Sequence, residues 1–292
     1  MSLITLGINY KTAPVEIRER VAFTPENIES SLKEIQHQCD VDEVVILSTC
    51  NRTEFYIYAQ TEEIKPRITQ WLAKQSKLSA DELDSYIYEY SERETVNHVL
   101  RVASGVDSMI LGEPQILGQI KDAYRYSVQA GTVSTLLSRL FQFTFTVAKQ
   151  IRTDTLIGSS PVSVAFTAVN LAKQIFGDLS SYTALFIGAG ETIELAARYL
   201  HDQKVGRVIV ANRTVQRAHD LASNFNGYAI GLDEIPAHIS EADIVISSTA
   251  SREPILLLPT IQKALADRKN RLMFLVDLAV PRDIDPAICD LN

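Results

Sequence analysis

Ala184-Leu185-Phe186-Ile187-Gly188-Ala189-Gly190-Glu191-Thr192-Ile193-Glu194 is the stretch on which the fold turns. Four apolar residues, then two glycines one position apart, then a segment with helical spacing to His201 read as strand, tight turn and helix. In a dinucleotide-binding fold the first glycine permits the turn and the second lets the backbone approach a pyrophosphate. The phosphates then sit on the free N–H groups that open the helix. Gly188, Ala189, Gly190, Glu191, Thr192 and Ile193 are therefore candidate cofactor-binding residues, with Ile193 standing where the G-x-G-x-x-G fingerprint has its third glycine.

Downstream, Val208–Ala211, Tyr228–Ile230, Ile244–Ser247 and Met273–Val276 are short apolar runs spaced by helix-length segments. The beat predicts a parallel sheet with helices on both faces, a Rossmann-type domain. The second strand ends in Asn212-Arg213-Thr214, where an NAD-binding chain would carry a carboxylate for the ribose 2′-hydroxyl. An Arg there can pair with a 2′-phosphate, so the cofactor expected is NADPH.

Upstream, Gly158-Ser159-Ser160-Pro161 is a turn cluster between two helical stretches, which sets the domains at 1–157 and 158–292. The first half reads as strands at Leu3–Ile8, Glu43–Ser48, Glu54–Ala59 and Tyr86–Tyr90, with helices from Pro25 to about Gln38 and from Pro66 to about Lys77. The order β-α-β-β-α-β predicts a ferredoxin-like α+β core within an overall α/β chain. Added helices follow: one with an apolar stripe of Val96, Val99, Leu100 and Ala103, one from Pro114, and one from about Ser134 to Asp154.

The chain has 292 residues, 46% of them hydrophobic and 22% charged, which excludes disordered, collagen-like and coiled-coil classes and suits two domains. The balance of 28 basic and 36 acidic residues, −8, gives no overall attraction for polyanions, yet a local basic patch can still hold one. No apolar run is long enough for a membrane span and the N-terminus lacks a secretory signal, so a cytoplasmic protein is expected. Cys39, Cys50 and Cys289 are an odd number without C-x-x-C spacing, which argues against a disulfide framework and a zinc site.

Cys50 is the cysteine with chemical company. Ser48-Thr49-Cys50-Asn51-Arg52-Thr53-Glu54 is a tight polar connection between two apolar strands. Arg52 would favour the thiolate, and Thr49, Asn51 and Arg52 offer donors to an anionic substrate. Paired with a hydride donor, a thiolate can take an acyl group as a thioester, which is electrophilic enough to be reduced to an aldehyde. A free carboxylate is too unreactive for that attack, and the chain has no G-x-x-x-x-G-K-[ST] loop to activate one with ATP. The acyl group must arrive activated, as an ester, thioester or phosphate.

Gly7-Ile8-Asn9-Tyr10-Lys11-Thr12-Ala13-Pro14-Val15, Ser48 to Glu54, Arg101 to Gly118, Gly188 to Glu194, Asn212-Arg213-Thr214 and Asp277 to Asp283 together resemble the glutamyl-tRNA reductase family over the whole chain. The resemblance implies reduction of the glutamyl ester of glutamyl-tRNA with NADPH, giving glutamate-1-semialdehyde for tetrapyrrole synthesis. It implies Cys50 as nucleophile and His98 as a residue important for activity; His98 lies off the apolar stripe just named. Thr49, Asn51, Arg52, Ser108, Glu113, Pro114, Gln115 and Gln119 match the substrate-binding positions, with Arg52 placed to pair bidentately with the glutamyl carboxylate. Family members continue into a long spinal helix and a dimerisation domain, so this is expected to be the first part of a longer homodimer, monomeric or weakly dimeric by itself. A partnership with glutamate-1-semialdehyde aminomutase is implied in the same way. Thiol and cofactor site fall on different domains, so catalysis is expected to use a hinge near Gly158. Two other readings stay open: a small-molecule NADPH dehydrogenase of shikimate-dehydrogenase type, and a non-catalytic module that binds glutamyl-tRNA.

Overall fold

The computed structural model describes residues 2–60, 63–155, 157 and 163–291. The chain divides into two compact units, Met1–Val162 and Ser163–Asn292. The linker expected at Gly158-Ser159-Ser160-Pro161 lies outside the described residues.

In the first unit β1 (Ser2–Asn9), α1 (Val15–Arg20), α2 (Ile28–Gln38), β2 (Glu43–Ser48), β3 (Arg52–Ala59), α3 (Ile64–Ser76), α4 (Ala80–Asp84) and β4 (Tyr88–Ser91) come first. Three helices follow, α5 (Arg93–Ala103), α6 (Gln115–Ala130) and α7 (Thr135–Asp154). The sheet runs β2-β3-β1-β4 with every neighbour antiparallel, the ferredoxin-like order. Strand alternation sends Val44, Ile46, Phe55 and Ile57 to one face, into a core with Leu32, Ile35, Ile68 and Trp71. Val45, Leu47 and Tyr56 go to the other, packed with Val99, Val102, Ile120 and Phe141. Helices cover both faces, which is why β2 reads as an unbroken apolar run. Each of these fully buried aliphatic side chains contributes about 1.5–3 kcal/mol.

The local differences from expectation have identifiable causes. The helix expected from Pro25 starts at Ile28, because Asn27 turns its Oδ1 back onto the Thr24 N–H at 2.8 Å and closes a turn first. The short α1 was not anticipated, although Pro14 stands at its N-cap with Glu16 in the first turn and Arg18 and Arg20 in the last. β4 begins at Tyr88, since the Tyr86 and Ile87 N–H groups bond back to Leu83 O at 2.9 and 3.2 Å.

The second unit alternates α8 (Val164–Phe176), β5 (Thr183–Ile187), α9 (Glu191–Asp202), β6 (Arg207–Ala211), α10 (Val215–Ser223), β7 (Tyr228–Ile230), α11 (Ile235–His238), β8 (Ile244–Ser247), α12 (Leu258–Asp267) and β9 (Phe274–Asp277). The sheet order is β7-β6-β5-β8-β9, all parallel, with a core on each face. The chain winds outward from β5 to β7 and crosses back to β8, so the switch point lies between β5 and β8, the place where such sheets bind ligands. Among the described residues no helix is long and apolar enough to cross a membrane.

Candidate active site

Thr49 builds the connection that carries the thiol. Its hydroxyl accepts the Asn51 and Arg52 N–H groups, both at 3.2 Å, and its N–H donates to Arg52 O at 2.8 Å. Cys50 is thereby presented at the tip of the β2–β3 hairpin, half-buried. Its carbonyl accepts a hydrogen bond from Arg18 Nη1 of α1, and the Asn51 carbonyl accepts the Tyr10 N–H at 2.9 Å. Burial pushes the thiol up to about 11; Glu113 pushes the same way, while Arg18 and then Arg52 pull against it. Arg52 favours the thiolate, as expected from its place beside Cys50, but burial outweighs both cations.

Arg52, Glu54 and Tyr56 alternate on one face of β3 and lead inward from the thiol. Glu54 is fully buried and collects four donors. Arg52 Nη1, Tyr88 Oη and His98 Nε2 meet its Oε1 at 2.5, 2.5 and 2.9 Å, and Tyr56 Oη meets its Oε2 at 2.5 Å. Burial opposes the charge on Glu54, but Arg52 and then His98 hold the carboxyl well below the usual carboxylate range. Tyr56 and Tyr88 are pushed well up, first by burial and then by the Glu54 charge. Gly7 makes the arrangement sterically feasible, since a Cβ there would lie 2.5 Å from the Tyr88 ring.

Two expectations are overturned at this cluster. His98 is 5% exposed and lies on the buried stripe of α5, which is Thr95, His98, Val99, Val102 and Ala103 rather than the run of apolar residues alone. The Glu54 carboxylate makes a buried imidazole tolerable, and Asp107 Oδ2 lies 3.9 Å from its Nδ1. Arg52 is 2% exposed, with Nη1 on Glu54 and Nη2 donating to the Asp107 carbonyl, so it presents no open bidentate face to a glutamyl carboxylate. Asp107 also pairs with the exposed Lys11 Nζ at 2.5 Å.

The remaining substrate-site candidates lie in the segment that leads into α6. Glu113 is buried and its carboxyl is raised by that burial; Ser108 and Arg52 oppose the shift. The Ser108 hydroxyl is buried without a closed hydrogen bond. Pro114 is the N-cap residue of α6, and Gln115 and Gln119 are half-buried one turn apart on it. The structure therefore gathers Cys50, Arg52, His98, Ser108 and Glu113 around the N-terminal end of β3. Arg18, Glu54, Tyr56, Tyr88, Asp107 and Lys11 join them unannounced by the sequence reading. The period-two pattern Arg52-x-Glu54-x-Tyr56 was the available signal for part of this set.

At the second unit's switch point, Gly188 has φ +108°, and a Cβ on it would lie 2.4 Å from Ser248 O. Gly190 is the N-cap of α9, with no atom within 4 Å of where a Cβ would be, which leaves room for a phosphate beside the helix N-terminus. Glu191 and Thr192 begin the helix, Ala189 is half-buried, and Ile193 is fully buried beneath it in the core. Past β6, the Asn212 amide ties to Thr214 O at 3.0 Å while Arg213 points to solvent ahead of α10. A second wall escaped the sequence reading. Buried Asp283 accepts Ser247 Oγ at 2.6 Å, Thr249 N at 2.8 Å and Thr249 Oγ1 at 2.5 Å, fixing the loop after β8 next to Gly188. A glycine turn that only a missing side chain permits, open space at a helix start and an exposed Arg past the second strand fit a phosphorylated dinucleotide.

Fold and site define a dinucleotide-dependent oxidoreductase that carries a positioned thiol in a ferredoxin-like unit and its cofactor turn in a Rossmann unit. Residues 6–155 match the glutamyl-tRNAGlu reductase N-terminal domain, and 170–292 match the shikimate / quinate 5-dehydrogenase family. The chain is 55% identical over all its residues to the glutamyl-tRNA reductase of Nitrosococcus oceani and 54% to that of Ectopseudomonas mendocina, covering 69% and 68% of those proteins. The solved glutamyl-tRNA reductase of Methanopyrus kandleri is 32% identical, with a TM-score of 0.51 over 99% of this chain and 69% of that one. This chain belongs to the glutamyl-tRNA reductase family, NADPH-dependent oxidoreductases.

Proposed function

We propose that this chain carries the thiol and the cofactor site of a glutamyl-tRNA reductase, which converts the glutamyl ester of tRNA to glutamate-1-semialdehyde, the first committed step of tetrapyrrole synthesis. The half-buried Cys50 thiol, held at a hairpin tip by Thr49 and Arg18, carries the reading. Cys50 loses its proton, its sulfur bonds to the glutamyl carbonyl carbon, and the ester bond breaks with the tRNA 3′-terminal ribose oxygen leaving as a hydroxyl. The glutamyl group is then a thioester on Cys50. Gly188 to Ile193 and Asn212 to Thr214 would hold NADPH, with Arg213 toward its 2′-phosphate, and the bound cofactor would supply a hydride to the thioester carbon; the carbon–sulfur bond then breaks, which returns the Cys50 thiolate and leaves the aldehyde.

Thr49, Asn51, Ser108, Glu113, Pro114, Gln115 and Gln119 surround the glutamyl group in this reading. Arg52 acts from beneath, through Glu54 and His98, rather than on the substrate carboxylate. His98 donates from Nε2 to the ionised Glu54, which fixes its tautomer. The three unpaired cysteines support a cytoplasmic setting. The reactivity of an amino aldehyde supports its transfer to glutamate-1-semialdehyde aminomutase, and we place the protein in a homodimer. A small-molecule dehydrogenase and a non-catalytic tRNA-binding module are not favoured, because whole-chain relatives are reductases. Following NADPH absorbance with the protein tests this: oxidation with glutamyl-tRNA and none with uncharged tRNA supports the reading. Oxidation with neither contradicts it.

A further inference from the structure

Arg18 matches no position that the family resemblance assigned, yet it is the residue that reaches the nucleophile's own backbone. It stands in the last turn of α1, and its Nη1 donates to the Cys50 carbonyl across 32 residues of sequence. Its Nε is buried with no hydrogen-bond partner, so the guanidinium is held at the hairpin tip at the expense of an unsatisfied donor. A buried, incompletely paired donor is costly and invites a functional explanation. Arg52, the cation nearer in sequence, is already committed to Glu54 and to the Asp107 carbonyl.

We infer that Arg18 is a positioning residue for Cys50: it anchors the hairpin tip through the Cys50 carbonyl and supplies the positive charge that offsets burial when the thiol ionises. The groups that face the thiol are Arg18 from α1, Arg52 from β3 and Glu113 from the segment before α6, and Arg18 is the stronger of the two cations in drawing the thiol down. Burial draws the guanidinium's own pKa down, and Cys50, then Glu19 and Glu16 of its own helix, oppose that shift. The inference rests on the reading of Cys50 as nucleophile.

Removing this cation should raise the thiol midpoint further. At pH 7.5 the thiolate fraction then falls, partly offset by the greater nucleophilicity of a more basic sulfur, for a net slowing. Alkylation by iodoacetamide, read on the Cys50 peptide by mass spectrometry from pH 7 to 10.5, measures this in wild type, Arg18→Met and Arg18→Lys. Single-turnover thioester formation from glutamyl-tRNA is followed beside it. The inference expects Arg18→Met to be slower in both assays, with its pH profile displaced upward, and Arg18→Lys to recover most of the alkylation rate. Identical profiles for Arg18→Met and wild type, or Arg18→Lys as slow as Arg18→Met, would overturn it. Should Arg18→Met fail to fold, Arg18→Gln keeps a donor for the carbonyl and removes only the charge. If wild type forms no thioester while Arg18→Met still shifts alkylation, the role of Cys50 fails and that of Arg18 stands.

Discussion

Glu54→Gln is the substitution with the largest consequence that the structure allows to be worked through. The carboxylate is fully buried and carries four donors, one of them the guanidinium of Arg52, itself 2% exposed. The amide keeps the shape but removes the charge and turns one acceptor into a donor, so either Tyr56 or the Arg52–Tyr88–His98 side loses its partner. The nearest other anion to Arg52 is Asp107, at 4.0 Å. Stripping a buried ion pair of one member costs about 3–5 kcal/mol. For a unit of this size each kcal/mol moves the melting midpoint by about 2–4 °C, so the first unit should melt roughly 10 °C lower.

The pH dependence follows from the direction of the Glu54 shift. Its folded carboxyl is held low, so its contribution is fully present above the unfolded carboxylate pKa of about 4.3 and is lost as pH falls through the folded value. The gap between wild type and Glu54→Gln should be flat from pH 8 to about 5.5 and close in acid. Calorimetry of both proteins across that range measures it, with NADPH affinity as a control for the second unit. A Glu54→Gln midpoint within about 2 °C of wild type at pH 7, or a gap that does not narrow in acid, would refute the ion-pair account.

Two predictions concern the cofactor turn. Gly188→Ala places a methyl 2.4 Å from Ser248 O at φ +108°, so NADPH affinity should fall at least about tenfold by fluorescence titration while thioester formation at Cys50 proceeds normally. Arg213→Glu exchanges an exposed cation for a carboxylate, and should weaken NADPH by about tenfold or more with little change for NADH; equal losses for both would remove the 2′-phosphate assignment.

The sequence was most informative where side-chain pattern and local chemistry coincide. The parallel sheet was legible because its strands are short apolar runs separated by helix lengths, and the cofactor turn because Gly188 and Gly190 sit at the junction of strand and helix. The ferredoxin-like sheet was legible from the order of its elements, although strands buried on both faces lose the alternation that would mark which side chains share a face. That loss hid the inner cluster. His98 looked displaced from its stripe because a polar residue is not counted as core, yet Glu54, 44 positions earlier, makes its burial tolerable. Arg52 looked like a substrate ligand because it is two residues from Cys50, whereas the strand's period of two directs it to the Glu54 side. Arg18 carried no local signal, since its partner is a backbone carbonyl brought near only by the fold.

The most direct test of the central claim is to mix the protein with glutamyl-tRNA in the absence of NADPH, quench in acid, and map any glutamyl adduct by mass spectrometry. The account predicts a hydroxylamine-labile glutamyl mass on the Cys50 peptide, released as aldehyde when NADPH is added first, and absent in Cys50→Ser. An adduct on Cys39 or Cys289 instead, or aldehyde formation at the wild-type rate by Cys50→Ser, would contradict it.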